Sequence, residues 1–292
     1  MVEALVQTLV GGATIGSIYA LVAIGFVVIY RALGIFNFAQ TEFYMLGAMA
    51  VAVLLATGMP VGLAFVGSVA IVLGIGLLAE RAVFRYPVMA GIPTLNLDVA
   101  SIALAIVLRS AVLLILGPQP RAVPPLVAGA VHIGSAIVSW EQLLIIAITA
   151  VAIALVYAFL NLTRAGLALR ATASNRSVAA MFGIRTTYVL STAFGMSAVL
   201  GALAGVLIAP IFLAQFDMGL AILVKAFAAW VLGGLTSVSG VIVGGLVLGL
   251  AESFAGNFIS AAYGDVVAFV VLLLVLAIRP SGILGRNRPE KV

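Results

Sequence analysis

A chain of 292 residues that is 65% hydrophobic and 8% charged stands far from the roughly 45–50% and about 25% of a soluble domain, which excludes an ordinary water-soluble enzyme. Fourteen Lys and Arg against nine Asp and Glu give a formal charge of +5, a surplus that reads as loop bias on the cytoplasmic side of a membrane rather than as nucleic-acid binding. With no Cys and one histidine, His132, disulfides, thiolate catalysis and a clustered metal site are excluded, and no cofactor is expected.

The charges punctuate the chain, leaving charge-free runs at 4–30, 43–79, 142–163, 186–216 and 226–251. Each is long enough for a helix of about 20 residues to cross a bilayer. Continuous apolar runs, rather than two-residue alternation, select helices over a barrel. Breaking the runs at Gly58 and Pro60, at Pro87 and Pro93, at Pro118 to Pro125 and at the late glycines predicts nine spans: 10–30, 35–57, 61–79, 95–116, 141–161, 188–213, 219–235, 240–257 and 262–278. The expected fold is an all-α polytopic bundle, a single membrane domain over 1–292 with eight to ten crossings. Met1-Val2-Glu3-Ala4 lacks the basic region of a signal peptide, so the first run is expected to be a retained span.

The basic residues then assign sides. One face collects Arg31, Arg81, Arg85, Arg164, Arg170, Arg176, Arg185, Arg279, Arg286, Arg288 and Lys291, the other only Arg121, while Arg109 and Lys225 fall inside spans. The N-terminus is expected outside, the C-terminus inside, and loops 80–94 and 162–187 in the cytosol.

Two segments are rich in polar side chains for their position. In Tyr30 to Phe43 the residues Asn37, Gln40, Thr41 and Glu42 interrupt an apolar segment. The second span is expected to break or turn re-entrant there. On a continuous helix Phe38 would share a face with Glu42, and Asn37 with Thr41. An ionisable group inside a span marks either a translocation pathway or a structural pairing with an interfacial Arg, and the two readings stand level. In the inner loop, Ser174 is placed to cap a short helix and Gly183 to end it, giving an apolar edge at Val178, Met181 and Phe182 among Arg170, Arg176 and Arg185. That edge suits a protein partner or lipid headgroups, and composition alone favours lipid.

Small-residue pairs four apart, Gly12 with Gly16, Gly201 with Gly205, Gly240 with Gly244 and Gly245 with Gly249, permit close helix approach, although 31 Gly make such pairs common by chance. Ala39-Gln40-Thr41-Glu42 and Ala214-Gln215-Phe216-Asp217 share Ala-Gln-x-acid, too short an echo to define an inverted repeat.

The runs Gly16 to Leu21 and Asn37 to Glu42, the loop Gly166 to Ile184, the stretch Lys225 to Gly234 and the ending Arg279-Pro280-Ser281-Gly282 together resemble the LivH-like permeases of branched-chain amino-acid ABC importers. The family usually has Gly where this chain has Thr41. The resemblance implies a bacterial inner-membrane permease that works with a second homologous permease, two cytosolic ATPase subunits and a periplasmic or lipid-anchored solute-binding protein. It also implies that residues 172–182 form the coupling helix that docks on an ATPase, with Arg170, Ser174, Arg176, Val178, Met181, Phe182 and Gly183 as contact candidates. Asn37, Gln40, Thr41 and Glu42 become pathway candidates. No ATPase site is expected in the chain itself, because neither Lys225 nor Lys291 sits in a Gly-Lys-Ser/Thr P-loop. The competing readings are a sugar-type permease of the same superfamily, disfavoured by the sequence at 37–42, and an ion-coupled secondary transporter, disfavoured because only Arg109 and Lys225 stand clearly at mid-span.

Overall fold

Backbone surrounded by lipid can pair only with itself, and the apolar runs accordingly fold as helices. A computed structural model describes residues 2–133, 136–260, 263–279 and 282–284. In chain order it contains α1 (Val2–Leu33), α2 (Gln40–Ala56), α3 (Val61–Ala79), α4 (Arg85–Met89), α5 (Thr94–Leu116), α6 (Trp140–Leu162), α7 (Arg164–Ser174), α8 (Arg176–Met181), α9 (Thr186–Ile208), α10 (Met218–Gly233), α11 (Val238–Phe258) and α12 (Gly264–Ile278). A π-helical stretch, Glu80–Phe84, joins α3 to α4. An antiparallel hairpin of β1 (Ala130–Ile133) and β2 (Ala136–Ser139) sets Val131 opposite Val138.

Among the described residues six helices are long and apolar enough to cross a membrane, and Gln40–Ala56, Met218–Gly233 and Phe269–Ile278 are shorter apolar helices. The third expected span, 61–79, coincides with α3. The sixth was expected to reach 213, yet α9 stops at Ile208. Pro210 lies two residues beyond, and a proline lacks the N–H that would continue the ladder. The exposed surface of these helices is apolar: Leu114 and Ile115 of α5 are 85% and 78% exposed. Large aliphatic side chains so exposed on a spanning helix are suited to lipid contact.

The chain divides into two compact units, one from Met1–Val27, Leu126–Thr149 and Val224–Val292, the other from Val28–Pro125 and Ala150–Leu223. In the first, α1 lies directly against α11. A Cβ on Gly16 would stand 2.8 Å from the Gly245 carbonyl oxygen, so the backbones touch only because no side chain intervenes. Polar side chains tie the same helices: Ser253 Oγ donates to the Thr8 carbonyl at 2.9 Å and Asn257 Nδ2 to Thr8 Oγ1 at 2.9 Å. Phe26 stacks on Trp230 at 5.2 Å between ring centres.

In the second unit α2, α3 and α9 form the core, with Phe43, Val72, Ala198 and Ala202 fully enclosed. Phe84 packs on Phe194 at 4.7 Å. Gly205 of α9 faces the backbone of α2, where an added Cβ would collide with the Tyr44 carbonyl. Gly205→Leu therefore forces the two helices apart, at about 1–3 kcal/mol or more for an overpacked core. The expected result is a clearly lower melting temperature of the detergent-solubilised protein, and a wild-type melting curve would show that α2 and α9 do not pack this way.

Candidate functional site

The polar cluster begins where α1 ends. Gly34, at φ 71°, takes the left-handed turn that a residue with a Cβ adopts only at a cost. The following backbone leaves the helix and needs new partners. It finds them on α5: the Phe36 N–H donates to Asp98 Oδ1 at 2.8 Å and the Phe38 N–H to Ser101 Oγ at 3.0 Å. The break expected in the second span is thus real, and α2 begins only at Gln40. Asn37 and Phe38 precede the helix, which corrects the expected helical stacking of Phe38 on Glu42 and of Asn37 on Thr41.

Asn37, Gln40, Thr41 and Glu42 are brought together and are all buried, none more than 3% exposed. Their roles divide. Gln40 is a clamp: its Nε2 donates to the Ser197 carbonyl on α9 at 3.1 Å, and its Oε1 accepts from Ser197 Oγ. The other three present polar atoms to the interior without a protein partner, namely both side-chain polar atoms of Asn37, the Thr41 hydroxyl and Glu42 Oε2. Buried polar atoms are nearly always satisfied, so three unsatisfied residues within six positions are a functional signal. Arg109 of α5 interacts electrostatically with Glu42. Gly219, in the first turn of α10, lets that helix pack directly against this carboxylate, since a Cβ there would lie 2.9 Å from Glu42 Oε2.

The inner loop is two capped helices. Thr163 Oγ1 accepts from the Gly166 N–H at 3.0 Å and opens α7. Ser174 is the last residue of α7, and Asn175, extended at φ −159° and ψ 110°, caps α8 by accepting from the Val178 N–H at 3.1 Å. The expected cap at Ser174 and the continuous helix over 172–182 are therefore corrected: the chain breaks at Asn175, whose extended backbone is the geometry an N-cap requires. Gly183 ends α8 as expected, at φ 81°, with its N–H on the Ala180 carbonyl and that of Ile184 on Ala179. Met181 and Phe182 are 86% and 83% exposed, Val178 is also exposed, and Ala179 is buried beneath them. Arg170 is exposed, its Nη1 donating to Asn161 Oδ1 at 3.2 Å. A cleft of about 480 Å³ lined by Arg85, Gly183, Arg185, Tyr188 and their neighbours adjoins the loop. The Arg176 side chain, together with Pro280, Ser281, Arg286, Arg288 and Lys291, lies outside the described residues.

A third polar group is absent from the sequence expectations. Lys225 of α10 is paired: its Nζ stands 2.5 Å from Glu252 Oε1 on α11, and Tyr19 of α1 donates from its hydroxyl to Glu252 Oε2 at 2.6 Å. Lys225 Nζ also lies 6.0 Å from the centre of the Tyr19 ring. Glu252 is the lone acid of its span, and a lone Lys in another span was the signal that could have pointed to it.

Long apolar helices with aliphatic outer faces and inward polar groups define a multi-pass α-helical membrane protein. The chain belongs to the family described as "Branched-chain amino acid transport system / permease component", which it matches over residues 8–276. It is 36% identical over 301 aligned positions to the high-affinity branched-chain amino acid transport system permease protein LivH of Escherichia coli K12, covering 98% of this chain and 97% of that protein. To BraD of Pseudomonas aeruginosa, a protein of the same description, it is 36% identical over 302 positions with the same coverage. Among solved structures, PsaBC from Streptococcus pneumoniae in complex with Fab matches with a TM-score of 0.51 and 16% identity, covering 96% of this chain and 93% of that one, a likeness of fold alone.

Proposed function

We propose that this chain is the membrane-spanning permease subunit of an ATP-binding-cassette importer of branched-chain amino acids in a bacterial inner membrane. The observation that carries the reading is the near full-length identity to LivH and BraD. The chain acts as one permease domain over 1–292, with about nine crossings, the N-terminus outside and the C-terminus inside. It forms the path with a second permease, receives solute from a binding protein and takes its energy from two ATPases, so no hydrolytic residue is needed in it. Asn37, Thr41 and Glu42 line the path with their unpartnered polar atoms, and Gln40 holds the broken helix in place on α9. The apolar edge of Val178, Met181 and Phe182 docks on an ATPase, where burial of exposed apolar surface supplies the affinity.

The decisive experiment is reconstitution of the permease with the ATPases, second permease and binding protein encoded beside it, followed by uptake of labelled leucine. ATP-dependent leucine uptake supports the reading. Uptake of a sugar, or leucine uptake driven by an ion gradient without ATP, would replace it with one of the two rivals.

Orientation has its own test, made simple because the chain has no Cys. A single Cys placed at Asn175 is expected to resist an impermeant thiol reagent added to intact cells and to react once the cells are opened. Labelling in intact cells would invert the topology.

A further inference from the structure

Tyr19 and Lys225 lie near the middle of their helices, and Glu252 stands within the last two turns of α11. At 1.5 Å per residue Tyr19 is about 26 Å from the start of α1 and about 21 Å from its end. Lys225 stands in the middle of α10. The ion pair is not sealed: its side chains keep 22% and 16% of their surface exposed. A charged pair at such depth is penalised if it faces hydrocarbon, so its open side faces either a polar route or another protein surface.

The geometry inside the pair separates its two charges by role. Glu252 is held from both ends, through Oε1 by Lys225 and through Oε2 by Tyr19. Tyr19 therefore holds the carboxylate independently of Lys225. Lys225 is on a flexible four-carbon stem whose ammonium is a mobile point charge. Together the pair carries one positive and one negative group and is neutral overall. An amino acid's head group carries the same two charges, also neutral overall.

We propose that Lys225, Glu252 and Tyr19 form a zwitterion-exchange site, in which the substrate carboxylate replaces Glu252 on Lys225 and the substrate ammonium replaces Lys225 on Glu252. No net charge enters the membrane interior at any point, and each buried charge exchanges one opposite partner for another. That matters because removal of one partner from a buried pair leaves the other charge uncompensated. The site reads the head group that all amino acids share, so it accepts zwitterions and rejects uncharged or singly charged analogues of the same side chain. The proposal rests on the amino-acid importer reading and specifies what part of the solute this chain recognises.

The test exploits a difference between an ion pair that only holds helices together and one that exchanges partners. Replacing both members, Lys225→Met with Glu252→Gln, removes the charges without stranding either one. A purely structural pair tolerates this. In the whole reconstituted transporter the double variant is expected to assemble to the wild-type level, while leucine uptake falls at least tenfold. Each single variant is expected to lose uptake as well. Wild-type leucine uptake by the assembled double variant would overturn the exchange and leave a structural tie between α1, α10 and α11. Loss of assembly in the double variant would overturn it too, assigning the open side of the pair to a protein contact. If the unaltered transporter takes up no amino acid at all, the importer reading falls and takes the exchange with it. That outcome is separate from the first two, which require a working parent.

Discussion

Changing Met181 and Phe182 together to Asp is expected to strip the ATPases from the permease while leaving it inserted and folded. Both side chains are more than four-fifths exposed, so neither contributes to the protein's own core. Burying one such apolar side chain is worth about 1.5–3 kcal/mol. Losing two from one contact thus weakens it by about 3–6 kcal/mol, or on the order of a hundredfold to ten-thousandfold in affinity. The capped ends of α8 at Asn175 and Gly183 do not involve either side chain, so the helix itself survives the change. Co-purification of the ATPases on a tagged permease is the measurement. A helix that rests on lipid headgroups instead would be harmed in membrane placement but would still bring the ATPases down, and full recovery of them would move this edge from the docking surface to the lipid interface.

The all-helical membrane character was legible because long apolar runs are punctuated by charge and proline, and those signals act locally. Val61–Ala79 is bounded by Pro60 and Glu80, and its limits could be read directly. The start of α2 could not, because the bonds that hold the unwound backbone at Phe36 and Phe38 come from Asp98 and Ser101, more than sixty residues away. Nor could the loop cap be fixed: Ser and Asn cap helices about equally well, and here they are neighbours. The four glycine pairs looked like chance in so glycine-rich a chain. Once helices are packed, Gly12 and Gly16 of α1 prove to face Gly249 and Gly245 of α11. The cluster at 37–42 was visible as polar residues in an apolar run, but its division into the clamp Gln40 and the unpartnered Asn37, Thr41 and Glu42 depends on where Ser197 stands. The ion pair of Lys225 with Glu252 joins residues 27 apart, one at each end of the charge-free run 226–251, and no local pattern links them.

Glu42→Gln is expected to leave the transporter assembled and to lower leucine uptake at least tenfold. The substitution keeps the shape of the side chain and removes its charge. Glu42 is 3% exposed and its Oε2 has no protein partner, and a buried ionised carboxylate that is incompletely paired is costly unless something compensates it. On the pathway reading that cost persists in the resting protein because the carboxylate serves the passing solute, and the stability of the variant should then equal or exceed that of the parent. The structural reading makes the opposite forecast. If Glu42 exists to attract the half-buried Arg109 and hold the start of α2, neutralising it removes that attraction. Losing that attraction loosens the start of α2, which lowers the melting temperature and depletes the assembled complex. Melting temperature and uptake, measured on the same preparation, therefore separate the two roles. A stable, fully assembled variant that transports at the native rate excludes the charge of Glu42 from transport, and a destabilised one makes Arg109 its partner and anchoring the start of α2 its purpose.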